Sequence, residues 1–303
     1  KDDLFGSSVA VLDVNGDGAA EIVIGAPKAD PSSVLKDAGK VYLYSGFGDM
    51  LAEVNGQARG EQLGLRLQVL AGERARVAAS APNAKVFNLA KAGSIRIYDI
   101  DAELQLTQVA KVDGRARGEM LGSVLAATDD ITYDGVAELV VGLPKAGAMA
   151  AGKLVKTGAV RIYDTAAEGE QLLAEIGGAS LTGLNGAARA GDLFGSAVAS
   201  VADMDGDGKA ELLIGAPGFD AMISGKAQAN AGAAFVVSST VVTKAMGQDV
   251  PEESQSLLGA YYGELKGDQF GWAVADGGAM IDGGDQYHFV SARGFDTTIP
   301  HPK

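Results

Sequence analysis

A four-residue phrase, an acidic residue, a variable residue, an apolar residue and a glycine, recurs five times: Asp3-Leu4-Phe5-Gly6, Glu61-Gln62-Leu63-Gly64, Glu119-Met120-Leu121-Gly122, Asp192-Leu193-Phe194-Gly195 and Asp268-Gln269-Phe270-Gly271. Between the apolar positions Phe5, Leu63, Leu121, Phe194 and Phe270 the spacings are 58, 58, 73 and 76 residues. A period of this kind constrains the fold more than any local propensity, because each repeat must be a supersecondary unit that completes its packing against its neighbours. The units run over 1–60, 61–118, 119–191, 192–267 and 268–303, the last of them incomplete, and the later ones carry longer loops.

Within a unit the same order of elements returns. An apolar run ends in a small-small-Pro signature: Gly25-Ala26-Pro27, Ser80-Ala81-Pro82, Gly142-Leu143-Pro144 and Gly215-Ala216-Pro217, with Ser291-Ala292-Arg293 as a decayed fifth copy. A third stretch follows, Gly39 to Tyr44, Gly93 to Tyr98, Gly158 to Tyr163 and Gly232 to Val237, alternating or continuously apolar and rich in Val, Ile and Tyr. A fourth closes the unit, for example Leu51 to Val54, Leu106 to Val112, Leu172 to Ile176 and Leu257 to Tyr262. Such runs read as short strands with a buried face. A β-sandwich also alternates, but it has no reason to restart one phrase at every fourth strand, whereas radially arranged blades must. The expectation is an all-β fold, a β-propeller of four-stranded antiparallel blades, with 1–303 forming a single propeller domain or a fragment of one. The glycine that opens each first strand is expected where blades crowd together and only a residue without a side chain fits.

The acidic loops carry the chemistry. Between the first and second strands, unit one reads Asp13-Val14-Asn15-Gly16-Asp17-Gly18-Ala19-Ala20-Glu21, and unit four reads Asp203-Met204-Asp205-Gly206-Asp207-Gly208-Lys209-Ala210-Glu211. Oxygen donors stand at positions one, three, five and nine. Unit three repeats the ladder as Asp130, Thr132, Asp134 and Glu138, with Thr132 in place of the acid at position three. Calcium takes about 6–8 oxygen ligands, so alternate residues of one curled loop can encircle it. Without a cation these carboxylates would crowd one another and oppose formation of the loop. The expected cofactor is therefore Ca2+, held by Asp13, Asn15, Asp17 and Glu21, by Asp203, Asp205, Asp207 and Glu211, and by the thinner set of unit three. An EF-hand starts with the same letters but needs Glu at position twelve between helices; Ile24, Val141 and Ile214 stand there, in β-rich runs. Unit two offers only Ala71-Gly72-Glu73-Arg74 and is expected to hold no ion, while unit five offers Asp282-Gly283-Gly284-Asp285.

Composition narrows the function. The chain has 25 Lys plus Arg against 39 Asp plus Glu, a net charge of −14, which repels nucleic-acid phosphate and anionic membrane surfaces. Its apolar runs are too short to span a bilayer as a helix. No cysteine is present, which removes disulfides, cysteine-ligated zinc and thiol catalysis together.

Phe5-Gly6 with Gly25-Ala26-Pro27, and Phe194-Gly195 with Gly215-Ala216-Pro217, each enclosing an acidic loop, resemble the FG-GAP repeat family, known from the β-propeller of integrin α subunits. The resemblance implies structural calcium in the hairpins between strands one and two. It also implies a ligand-binding face at the opposite end, made by the connections from strand two to strand three and from strand four to the next blade. The first set of these loops covers 28–38, 83–92, 145–157 and 218–231. Implied partners are a protein or carbohydrate ligand on a cell surface or matrix, outside the cell or in the periplasm. The absence of cysteine points to a bacterial relative. Integrin propellers have seven blades, whereas four and a half units are visible here, so further blades, unrecognised segments or a partner chain would have to complete a ring.

Three other features have an expected role. Arg59, Arg117 and Arg189 precede the unit starts and are expected to pair with the adjacent acids Glu61, Glu119 and Asp192, or with carbonyls between blades, rather than to form a basic ring. Trp272 is expected in the core of unit five, with an exposed stacking platform as the alternative, since its equivalents in the other units are Ser7, Leu65, Ser123 and Ser196. Of the two histidines, His288 reads as a packed or surface residue and His301 lies near the end of the sequence. No nucleophile elbow, zinc-protease helix or P-loop motif is present. Recognition is favoured over the alternative, a propeller-type polysaccharide lyase or hydrolase on the same scaffold.

Overall fold

The computed structural model describes residues 2–14, 16–72, 74–150, 153–166, 171–181, 184, 186, 189–245, 257–279 and 286–294. The first sheet contains β1 (Ser8–Leu12), β2 (Glu21–Ala26), β3 (Lys40–Tyr44) and β4 (Met50–Asn55), and the second β5 (Leu67–Leu70), β6 (Ala75–Ala81), β7 (Ser94–Ile100) and β8 (Leu106–Asp113). In the third, β9 (Val124–Ala127) and β10 (Leu139–Leu143) are followed by a small hairpin, β11 (Ala148–Ala150) with β12 (Lys153–Val155), and then by β13 (Ala159–Asp164) and β14 (Gln171–Gly177). The fourth has β15 (Ala197–Val201) and β16 (Glu211–Ala216), a second small hairpin of β17 (Ala221–Ile223) with β18 (Lys226–Gln228), and then β19 (Ala233–Val237), the short helix α1 (Thr240–Ala245) and β20 (Leu257–Tyr262). A last two-stranded sheet pairs β21 (Phe270–Ala279) with β22 (Gln286–Ala292).

Each four-stranded sheet has its strands in sequence order, and the first, second and fourth pair antiparallel throughout. This is the arrangement expected of propeller blades. It places the connections between strands one and two and between strands three and four at one end of the sheet, and the connection between strands two and three at the other. The acidic loops therefore share an end with whatever follows the third strand.

The recurring phrase has a recurring backbone. Its variable residue is left-handed in all five copies, with φ of 54° at Leu4, 62° at Gln62, 56° at Met120, 59° at Leu193 and 55° at Gln269, and the glycine two residues on has φ between 84° and 91°. The turn delivers the apolar residue to the glycine that opens the preceding third strand, forming isolated parallel bridges Gly39 to Leu63, Gly93 to Leu121, Gly158 to Phe194 and Gly232 to Phe270. A Cβ on Gly232 would stand 2.2 Å from the Phe270 carbonyl oxygen, and one on Gly215 would stand 2.1 Å from that of Gly271. The glycines thus permit backbone to pass backbone where consecutive repeats meet.

Contact density divides the chain into two compact units, Lys1–Val141 with Ile162–Leu172, and Gly142–Arg161 with Leu173–Lys303. In the first, Val23, Val41 and Leu43 pack against Val77, Ala79 and Tyr98, so one face of the first sheet buries one face of the second. The opposite face of the first sheet carries exposed Val9 and Val11 beside Phe5, Tyr42 and Tyr44, whose rings contact one another. In the second unit, Val201, Leu213, Ala234 and Val236 pack against Phe270, Val274 and Val290, and Phe194, Phe219, Phe235 and Tyr262 form an aromatic group.

Two expectations are corrected. Glu61, Glu119 and Asp192 do not form ion pairs with Arg59, Arg117 and Arg189; instead they and Asp268 are buried and accept backbone N–H groups of the preceding turn. Glu119 accepts from Ala116 at 3.0 Å, Asp192 from Arg189 at 2.6 Å and Asp268 from Leu265 at 2.8 Å, while Glu61 takes the N–H of Gln57. Glu61 finds its cation farther off, in the buried Arg96, at 2.8 and 2.9 Å. Arg59 and Arg117 are exposed, and Arg189 turns to Asp220. An exposed arginine gains little by leaving water for a neighbour already satisfied by the backbone. Trp272 is likewise not in the core: it is 42% exposed, with the Arg293 guanidinium 4.3 Å from its ring centroid, a cation–π contact that can form at the surface.

Candidate metal centre

The fourth-unit hairpin between β15 and β16 shows how the ladder of oxygens folds. Asp203 curls the loop around itself: Oδ1 accepts the Gly206 N–H at 2.6 Å and Oδ2 the Gly208 N–H at 2.9 Å. Gly206 and Gly208 both have φ of 83°, a conformation that glycine adopts without the cost a side chain would bring. The Gly208 and Gly206 N–H groups hold the Asp203 carboxyl below its ordinary value. Asp205 Oδ1 accepts the Asp207 N–H at 3.2 Å, and Asp207 Oδ1 the Lys209 N–H at 2.9 Å.

Glu211 closes the ring from the first residue of β16. Its Oε2 accepts the Met204 N–H at 2.6 Å, and its Oε1 is buried without a hydrogen-bond partner. Ligand oxygens of Asp203, Asp205, Asp207 and Glu211 lie within 4.8 Å of one another. Burial, and then the charges of Asp205, Asp203 and Asp207, push the Glu211 carboxyl up to about 7. A buried carboxylate oxygen with no donor, facing three further carboxylates, is the environment that a hard divalent cation satisfies. The residues therefore fit calcium: all donors are oxygen, and no soft ligand is among them.

The first hairpin repeats most of this bonding. Asp13 accepts the Gly16 and Gly18 N–H groups at 2.8 and 2.9 Å, Asp17 accepts that of Ala19 at 2.7 Å, and Glu21 Oε2 accepts that of Val14 at 3.0 Å. Asn15 lies outside the described residues. Among the described residues, the fourth hairpin alone brings three or more acidic groups to mutual ligand distance.

The third hairpin diverges where its sequence does. Asp130 accepts the Asp134 and Gly135 N–H groups at 3.0 and 2.8 Å, and Asp134 accepts that of Val136 at 3.0 Å. Glu138, however, spends both oxygens on the protein: Oε2 accepts the Ile131 N–H at 2.8 Å and Oε1 the Thr132 N–H at 2.9 Å. Burial raises its carboxyl above the ordinary value, against these hydrogen bonds. The oxygen that stands unpartnered at Glu211 is thus engaged at Glu138. In the second unit, Gly72 pairs with Val136 of the third hairpin and Ala71 accepts the Ala137 N–H at 2.7 Å. The corresponding loop of unit five, 282–285, lies outside the described residues.

Two serines belong to the fourth site that loop spacing did not reveal. Ser238 Oγ donates to Asp205 Oδ2 at 2.8 Å and Ser239 Oγ to Asp207 Oδ2 at 3.3 Å, both from the turn after β19. The antiparallel strand order, which seats the residues after the third strand beside the acidic loop, could have pointed to them.

At the other end of the sheets, the connections of 28–38 and 83–92 carry Val34, 74% exposed, and Phe87, 90% exposed. Those of 145–157 and 218–231 contain the hairpins β11–β12 and β17–β18. Of the histidines, His301 lies outside the described residues, and His288 sits in β22 with its Nδ1 3.8 Å from Asp276 Oδ1 and a side chain 8% exposed. It lines a cleft of about 360 Å³ with Tyr261, Phe270, Tyr287 and Val290, yet both ring nitrogens are buried without a hydrogen-bond partner. No helix of the described residues is long and apolar enough to cross a membrane.

Comparison with curated proteins gave no match. The FG-GAP repeat family model matches residues 5–44 and 194–237, which span the first three principal strands of the first and fourth sheets and enclose the two hairpins with the fullest set of acidic donors. By those two stretches the chain is identified as one that carries FG-GAP repeats.

Proposed function

We propose that this chain is a calcium-stabilised recognition module of the extracellular or periplasmic space, binding a protein or glycan ligand through the connections between the second and third strands. The observation that carries the calcium part is the unpartnered, buried Glu211 Oε1 facing Asp203, Asp205 and Asp207. In the fourth unit these four side chains would hold the ion, and in the first Asp13, Asn15, Asp17 and Glu21 would do so. The ion neutralises like charges that otherwise oppose closure of the hairpin, and ties the first strand of a blade to the second. The third hairpin, with Asp130, Thr132, Asp134 and Glu138, is the weakest of the three because Thr132 brings only a neutral hydroxyl to position three and no Glu138 oxygen is left, like Glu211 Oε1, buried without a donor for a cation to satisfy.

Recognition is supported by the exposed apolar side chains of Val34 and Phe87 and by the hairpins β11–β12 and β17–β18, all on connections at the end away from the acids. Such loops on a rigid sheet framework vary without disturbing the core. The test pairs a melt with a binding screen. Chelation with EDTA should lower the melting temperature, and a printed glycan array should show calcium-dependent binding that Phe87→Ser abolishes without changing the melt. An unchanged melt under EDTA would refute the calcium reading. Release of shortened saccharides from the array would refute recognition in favour of catalysis.

A further inference from the structure

We infer that Ser238 and Ser239 are positioning residues of the fourth acidic hairpin: they hold Asp205 and Asp207 in the orientation a calcium ion requires, and they tie that ion to the start of α1. This rests on the calcium reading of the hairpin given above.

Both serines are buried, at 0% and 1% exposure, directly after β19. Each donates its hydroxyl to the outer oxygen of one aspartate, while the other oxygen of that aspartate already accepts a loop N–H. The two carboxylates are therefore held at both ends. Repulsion among Asp203, Asp205 and Asp207 would swing a carboxylate fixed at one oxygen out toward water, and a second hydrogen bond from a buried donor opposes that rotation. An oxygen that accepts one hydrogen bond keeps a lone pair for an ion. Donors behind liganding carboxylates orient them in this way, and their loss weakens metal affinity without removing a ligand.

The serines are fixed in turn by the helix. The Ser238 hydroxyl accepts the Thr240 N–H at 3.1 Å and lies 2.9 Å from Thr240 Oγ1, and the Ser239 carbonyl accepts the Val242 N–H at 2.9 Å. One hydroxyl group thus bridges a metal-facing carboxylate and the first turn of α1. Movement of Asp205 on loss of the ion would pass directly to Thr240–Ala245, so calcium should steady α1 as well as its own loop.

The experiment uses the full chain with Asp13→Asn, Asp17→Asn and Asp130→Asn, which leaves the fourth hairpin to report calcium binding by titration calorimetry. Ser238→Ala and Ser239→Ala should each weaken calcium by about 10- to 100-fold. Their melting temperatures in EDTA should stay near the parent's, with a smaller rise on adding calcium. Calcium should also protect the bond after Lys244 from trypsin in the parent and not in Ser238→Ala. If Ser238→Ala does not fold, Ser238→Cys, similar in volume but a weak donor, should show the same loss of affinity. Unchanged affinity in the variants overturns the inference and leaves the calcium reading intact, as does an equal fall in melting temperature with and without calcium. Absence of binding heat in the parent and the unsubstituted chain overturns both.

Discussion

Replacing Glu211 by glutamine should change the sign of its effect on stability when calcium is added. In the metal-free hairpin burial, with the neighbouring aspartates, raises the Glu211 carboxyl from the ordinary 4.5 to about 7. A folded-state value above the unfolded one means that the folded protein holds the proton more tightly. Ionised Glu211 therefore lowers stability above about pH 7, and the cost fades as pH falls from there toward 4.5. A shift of this size corresponds to about 3 kcal/mol at most, and water around the three exposed aspartates screens it to about 1–2 kcal/mol. Glutamine keeps an oxygen for the Met204 N–H and turns an amide donor toward the aspartates. Glu211→Gln should thus be more stable than the parent by about 1–2 kcal/mol in EDTA near pH 8, a rise of about 2–6 °C. In saturating calcium the order should reverse, because the amide brings no charge to the ion. Differential scanning calorimetry under both conditions, repeated near pH 5 where the EDTA difference should vanish, is the assay. A variant less stable than the parent in EDTA near pH 8, or a difference indifferent to calcium, would refute the reasoning.

Three further outcomes follow from the same geometry. Gly215→Ala would place a Cβ 2.1 Å from the Gly271 carbonyl oxygen and should cost about 2–3 kcal/mol in urea denaturation, whereas Gly225→Ser, at a hairpin tip with nothing within 4 Å, should cost about 1 kcal/mol, from its left-handed φ of 76° alone. Arg96→Ala strands the buried Glu61 carboxylate and should cost about 3–5 kcal/mol; adding Glu61→Gln should recover part of that loss by the same measurement. Asp192, raised to about 6 chiefly by burial, should make Asp192→Asn less pH-dependent than the parent between about pH 4 and 6, where the parent gains stability as pH falls.

Much of this arrangement can be read from the residues alone. The repeated phrase and the small-small-Pro signature mark where first strands begin and second strands end, because glycine and proline are placed by backbone geometry that leaves few substitutes. The acidic ladder is legible for the same reason: Asp203 must face two glycine N–H groups of its own loop. What stays hidden depends on contacts distant in sequence. Glu61 lies 35 residues from Arg96 and Ser238 lies 33 from Asp205, so neither pair leaves a local pattern. The engagement of Glu138 by the Thr132 N–H is equally hidden, since nearly the same letters in the fourth hairpin leave Glu211 Oε1 without a hydrogen-bond partner. The hairpin of β17 and β18 leaves a trace in Ser224-Gly225 at its tip, both with positive φ, within the connection 218–231.

Crystals grown in calcium, with anomalous diffraction recorded for the bound metal, test the central claim most directly. A peak should lie inside the fourth hairpin in contact with oxygens of Asp203, Asp205, Asp207 and Glu211, including Glu211 Oε1, with a second in the first hairpin near Asp13, Asp17 and Glu21. Flat density at the fourth hairpin, with its aspartates turned out to solvent and Glu211 Oε1 paired to a protein donor, would contradict it.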